Sequence, residues 1–227
     1  MRHAAQAVMT TLVLCMILAS GAAMSAHAAP QIRLVALGDS LTAGYGLAAN
    51  EAFPVILQEL LREKGYPVTI KNAGVSGDTT AGGVSRVAPT LADAPDGMIL
   101  ELGANDGLRG FEPAFIKANL ETILDAAAKQ DVPVLLCGMQ ALVGMGPDYA
   151  AEFAAVYADL ARDRNLAFYP FFLEGVAADP AKNLPDGIHP TAAGVREIAR
   201  RMLPVAEAFV QGIMLRKGLP LPSSQTP

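Results

Sequence analysis

The chain has 227 residues, 52% of them apolar, with 17 basic and 22 acidic side chains. This length suits one domain with a well-buried core and is short for two. The net charge of −5 argues against binding nucleic acid or anionic lipid through charge.

Residues Met1 to Ala28 carry Arg2 near the start, then an apolar run from Ala7 to Ala19, then small residues ending Ala26-His27-Ala28. This is the layout of a secretory signal peptide with an A-x-A cleavage pattern. Residues 1–28 are therefore set apart from the fold, and export to the periplasm or medium is expected. The apolar run is too short for the roughly 20 residues that span a bilayer, and Leu12 is bulky where a lipoprotein signal ahead of Cys15 wants a small residue. No stable membrane insertion is expected. Removing 28 of 227 residues leaves 199, with 16 basic against 22 acidic side chains, a net charge of −6. Cys137 is then left without a disulfide partner in an oxidising compartment and reads as a buried, inert thiol.

Five apolar runs of strand length follow: Ile32 to Leu37, Val68 to Asn72, Met98 to Leu102, Val134 to Cys137 and Ala167 to Phe172. They do not alternate with polar residues, which is what parallel strands buried on both faces require. Helical spacing appears at Phe53, Val55, Ile56, Leu60 and Leu61, ending near Gly65. It recurs at Ile116, Leu120, Ile123 and Leu124, and again at Tyr149, Phe153, Val156, Tyr157 and Leu160. A final helix is expected from about Thr191 to Val210. The alternation predicts an α/β fold, a three-layer α/β/α arrangement in which a flavodoxin-like five-stranded parallel sheet carries helices on both faces. The domain is expected over residues 29–214, with a flexible Pro- and Ser-rich tail over 215–227.

In such a sheet ligands bind at the carboxyl ends of the strands, near the reversal of strand order. Four small polar motifs fall there: Gly38-Asp39-Ser40-Leu41, the stretch Asn72 to Asp78, Gly103-Ala104-Asn105-Asp106, and the turn Asp186 to His189. His3 and His27 lie in the signal segment, so His189 is the one imidazole of the mature chain. A serine hydroxyl needs a base within hydrogen-bond reach and a third group to orient that base. Ser40, His189 and Asp186 satisfy this if the last turn folds back over the first strand. Attack on an ester or thioester carbonyl also needs oxyanion donors. Gly74 offers an unobstructed backbone N–H, Asn105 a carboxamide, and Ser40 its own N–H at the start of a helical turn. On this reading Asn105→Ala lowers turnover more than substrate binding. With a neutral imidazole as base, activity is expected to rise through about pH 6 to 8.

GDSLTAGYG, NAGVSGDTTAGG, ELGANDGLRG and DGIHPTAAG, in that order, resemble the four blocks of the SGNH hydrolases, also called GDSL esterases. The likeness runs from Ile32 to about Val210 and is strongest to the exported acyl-thioesterase, lysophospholipase and arylesterase branch. It implies a serine hydrolase that cleaves aryl esters, acyl thioesters and lysophospholipids through an acyl-enzyme on Ser40. By the same resemblance Gly74 and Asn105 are oxyanion donors, Asp186 and His189 complete the triad, and neither cofactor nor metal is needed.

Other motifs point less far. Gly44 to Ala49 matches G-x-G-x-x-A, but the strand ends before it and no ribose-binding acid follows. Gly74 to Asp78 falls one glycine short of G-x-S-x-G. There is no P-loop, and one mature histidine with one cysteine makes no zinc site. Asp78 and Asp106 read as caps or hydrogen-bond acceptors. Apolar residues crowd the expected rim: Leu41, Tyr45, Leu47, Leu108, Met139, Leu142, Val143 and Met145. They are read as the lining of an acyl groove, with Leu41, Tyr45, Leu108, Met139, Leu142 and Met145 as the substrate-binding set. A small acyl ester or thioester is the expected partner. An acidic exported enzyme is poorly placed to meet anionic, cytoplasmic acyl-CoA, which argues for a laboratory substrate only. Two other readings are a carbohydrate O-acetyl esterase, favoured by a short polar pocket, and a non-catalytic exported binding module, favoured by a missing triad member.

Overall fold

The computed structural model describes residues 31–141 and 144–222. The signal-peptide assignment, Leu142, Val143 and the last five residues lie outside the described residues. The five strands are β1 (Ile32–Gly38), β2 (Val68–Gly74), β3 (Gly97–Glu101), β4 (Val134–Cys137) and β5 (Ala167–Tyr169). All pairs are parallel, and the order is β2-β1-β3-β4-β5. β1, β3 and β4 are almost wholly buried, as their unbroken apolar runs require.

Helices α2 (Phe53–Glu63) and α7 (Ala192–Arg216) pack against each other on one face of the sheet. On the other face α5 (Pro113–Ala128) packs between α3 (Thr80–Leu91) and α6 (Pro147–Asp163). The result is a three-layer α/β/α domain. Two short helices, α1 (Ser40–Ala43) and α4 (Ala104–Leu108), sit directly after β1 and β3. The register pairs Gly38 with both Gly74 and Glu101, so β1, β2 and β3 end level with one another. β1 lies between β2 and β3, which makes its carboxyl end the reversal point of the sheet.

Four elements differ from the sequence reading. β2 runs on to Gly74 rather than Asn72, and as an edge strand it exposes Lys71 and Asn72 instead of being buried on both faces. Helix α3, between β2 and β3, has no counterpart in it, because Gly82, Gly83 and Pro89 mask the apolar spacing of Val84, Val87 and Leu91. β5 stops at Tyr169 rather than Phe172, since Pro170 has no N–H to continue the ladder. α7 runs to Arg216, six residues past Val210 and across the expected boundary at 214, with Pro204 inside it. Val210, Ile213 and Met214 extend its buried stripe. Leu219 of the expected tail packs against the core. No described helix is long and apolar enough to cross a membrane.

Candidate active site

Ser40 is held at the switch point by the turn that follows β1. Asp39, wholly buried, caps α1: its Oδ1 accepts the Leu41 N–H at 2.9 Å. Ser40 is thus the first helical residue, and its N–H has no partner within the helix. A side chain at Gly38 would stand 2.1 Å from Thr42 Oγ1, so only glycine permits this sharp entry.

The loop ahead of α7 brings the imidazole across 149 residues of sequence. It is closed by a bridge between Asn183 and Pro190 and by Leu184 N–H donating to the His189 carbonyl at 2.7 Å. Within it Asp186 Oδ1 accepts the N–H groups of Ile188 and His189, each at 3.0 Å. Asp186 Oδ2 lies 2.8 Å from His189 Nδ1, and His189 Nε2 lies 2.9 Å from Ser40 Oγ. The backbone N–H bonds from His189 and Ile188, followed by the imidazole, hold the Asp186 carboxyl down at about 2. It is a carboxylate at neutral pH. The Tyr45 ring covers His189 at a centroid distance of 4.4 Å.

On the other side, Gly103 at φ 116° turns the chain into α4 and presents Asn105. One Asn105 Nδ2 hydrogen is directed to Asp39 Oδ2 at 3.2 Å. Gly74 departs from its expected part. Its N–H donates to Asn72 Oδ1 at 2.9 Å, and a Cβ on it would stand 2.3 Å from the Ala43 nitrogen. Glycine is needed there so that β2 can lie against the turn carrying Ser40. Gly77, further along the same loop, has φ 82° and open space around its Cα, and Arg109 Nη2 donates to its carbonyl at 3.1 Å. Its own N–H has no acceptor among the described residues.

A largely apolar cavity of about 130 Å³ opens beside Ser40, Asn105 and His189. Leu41, Leu108 and Met139 of the expected substrate-binding set line it. Tyr45 does not, because it lies over the imidazole, and Met145 lies outside near Gly110. Leu142 is outside the described residues. The opposite wall comes from Leu173, Ala177, Ala178, Asn183 and Ile188, which the sequence reading missed. They sit in an aperiodic stretch after β5, where the apolar pairs around Leu173 and Ala177 were the available signal.

Beneath the site lie two buried carboxyl groups. Burial pushes Asp39 up to about 6, and burial together with Asp39 pushes Glu101 well above the usual range. Glu101 Oε2 accepts from Thr42 Oγ1 at 2.7 Å and from Asp39 N–H at 3.4 Å, while Oε1 is buried without a partner. Asp106 accepts from the N–H and hydroxyl of Thr80 at 2.9 and 2.6 Å. Asp78 binds Arg86. Both serve as hydrogen-bond acceptors rather than facing the cavity. Cys137 is buried, and burial raises its thiol pKa. Among the described residues no group of three or more His, Cys, Asp or Glu side chains could hold a metal ion.

Comparison with known proteins gives a consistent set of relatives. Residues 36–197 match the model of the GDSL-like Lipase/Acylhydrolase family. The chain is 38% identical over 188 residues to Esterase TesA of Pseudomonas aeruginosa, covering 82% of this chain and 93% of that one. It is 36% identical over 165 residues to Thioesterase 1/protease 1/lysophospholipase L1 of Escherichia coli, covering 72% and 78%. The crystal structure of AlinE4, described as an SGNH-hydrolase family esterase, superposes with a TM-score of 0.67 at 41% identity, covering 85% of this chain and 98% of that one.

Proposed function

The chain belongs to the GDSL-like lipase/acylhydrolase family and is a carboxylic ester hydrolase of that type, and from this premise we propose that Ser40, His189 and Asp186 are its catalytic triad. The observation that carries the proposal is the continuous line Ser40 Oγ, His189 Nε2, His189 Nδ1, Asp186 Oδ2, with contacts of 2.9 and 2.8 Å.

Ser40 Oγ attacks the acyl carbonyl while His189 Nε2 takes its proton. Asp186 keeps the Nδ1–H pointing at itself and stabilises the imidazolium. The carbonyl oxygen becomes an oxyanion, stabilised by the Ser40 N–H and by the Asn105 Nδ2 hydrogen not engaged with Asp39. The third donor is Gly77 rather than Gly74, whose N–H is occupied by Asn72. The imidazolium then gives its proton to the departing alkoxide or thiolate, leaving an acyl group on Ser40. A water molecule, activated by the same imidazole, attacks this ester and releases the acid.

The apolar cavity supports acyl chains longer than acetyl, in aryl esters, thioesters and lysophospholipids, over a carbohydrate O-acetyl group. The E. coli relative's name, a thioesterase and lysophospholipase, supports the same range. Export rests on the pattern in residues 1–28, and the amino-terminal sequence of the mature protein tests it. The substrate reading is tested with p-nitrophenyl esters from acetate to palmitate. Hydrolysis is expected to extend beyond acetate into the longer chains. Activity confined to acetate would overturn it in favour of an O-acetyl esterase.

A further inference from the structure

Asp39 stands between the helical turn that carries Ser40 and the one that carries Asn105. Capping Leu41 does not require a carboxylate, because Asn or Ser caps a helix about as well. A wholly buried charge is costly unless something uses it. Both of its oxygens are engaged, Oδ1 by the Leu41 N–H and Oδ2 by Asn105 Nδ2. Its backbone is fixed as well: the carbonyl accepts the Ala43 N–H at 2.9 Å, and its N–H reaches Glu101.

A carboxamide has two ends of nearly the same shape, of which one donates and the other only accepts. If Asn105 presented its oxygen to the reacting carbonyl, it would repel the oxyanion it has to stabilise. An ionised carboxylate accepts hydrogen bonds and donates none, so it pairs only with the nitrogen end. We propose that Asp39 is a positioning residue that fixes the Asn105 carboxamide with its nitrogen toward the site, leaving the second Nδ2 hydrogen free for the oxyanion. The proposal rests on the reading of Asn105 as an oxyanion donor.

The test is a double-mutant cycle between Asp39→Asn and Asn105→Ala. Asn at position 39 keeps an oxygen for the Leu41 N–H but turns its own amide hydrogens toward Asn105. Two donors then face each other, and Asn105 relieves this by rotating its oxygen inward. D39N is expected to lower kcat by about 10²- to 10³-fold, the range typical of losing an oxyanion donor, while KM stays within about threefold. N105A is expected to do the same, and the double variant to be no slower than N105A within about threefold. Thermal unfolding of D39N checks that the fold is retained. If D39N does not fold, Asp39→Ser takes its place in the cycle, since it keeps a cap oxygen but is too short to reach Asn105.

Wild-type kcat in D39N, or losses that multiply in the double variant, would overturn the proposal while leaving Asn105 as a donor. Wild-type kcat in N105A would instead sink the oxyanion assignment, and this proposal with it.

Discussion

Glu101 shows at the scale of one residue what the site costs the fold. Its carboxyl is wholly buried at the end of β3, and burial, aided by Asp39, raises its pKa well above the ordinary 4.5. The folded protein therefore holds this proton at pH values where the unfolded chain has lost it. The associated stability is fully present below about pH 4.5 and is lost as the pH rises through the folded value. Replacing the group removes that dependence. Thermal midpoints measured from pH 5 to 9 should fall less steeply in Glu101→Gln than in wild type, and parallel curves would contradict this. At the same scale Ser40, Asn105, Asp186 and His189 were legible because each is a small polar or titratable residue just beyond an apolar run or inside a Pro- and Gly-flanked turn. Gly74 was not, because a glycine at a strand end reads the same whether its N–H or its missing side chain matters. The close approach to Ala43 and the bond from the Gly74 N–H to Asn72 tell the two apart. Asp39 caps α1, but nothing in the one-dimensional pattern links it to Asn105.

Among the elements, α3 shows how tertiary packing overrides local propensity. A Cβ on Gly83 would meet Leu102 Cδ1 at 2.3 Å and Ile123 Cδ1 at 2.9 Å. The residue that weakens the helix in isolation is therefore the one that lets it lie close to α5 and the end of β3. The same helix ties the site together through Arg86. Its Nη1 donates to the Ala73 carbonyl at 2.9 Å and its Nη2 to the Gly38 carbonyl at 3.1 Å, while Nε and Nη2 grip Asp78 at 2.8 and 2.6 Å. One guanidinium thus joins the ends of β1 and β2 to the loop that carries Gly77. A lysine keeps the charge but cannot reach all three partners from a single nitrogen. Arg86→Lys should cost about 1–3 kcal/mol. For a domain of this size that lowers the melting midpoint by roughly 2–4 °C per kcal/mol. An unchanged midpoint would show that the clamp contributes nothing to stability.

For the molecule as a whole, the strand count, the parallel sheet and the layering were legible, because buried parallel strands leave uninterrupted apolar runs and each crossover needs a helix. The opposite wall of the cavity was not. Leu173, Ala177, Ala178 and Ile188 lie in irregular backbone without a repeat, and their convergence depends on the loop that closes through Asn183 and Pro190. That closure also sets His189 beside Ser40, so the fold and the proposed chemistry meet at one contact. Labelling with a fluorophosphonate, which reacts with an activated serine hydroxyl, tests it most directly. Mass spectrometry of the labelled wild-type protein should place one adduct on Ser40, with ester hydrolysis abolished in step, and Ser40→Ala should neither label nor turn over substrate. An adduct on another residue such as Ser76, or hydrolysis that survives in Ser40→Ala, would contradict the account.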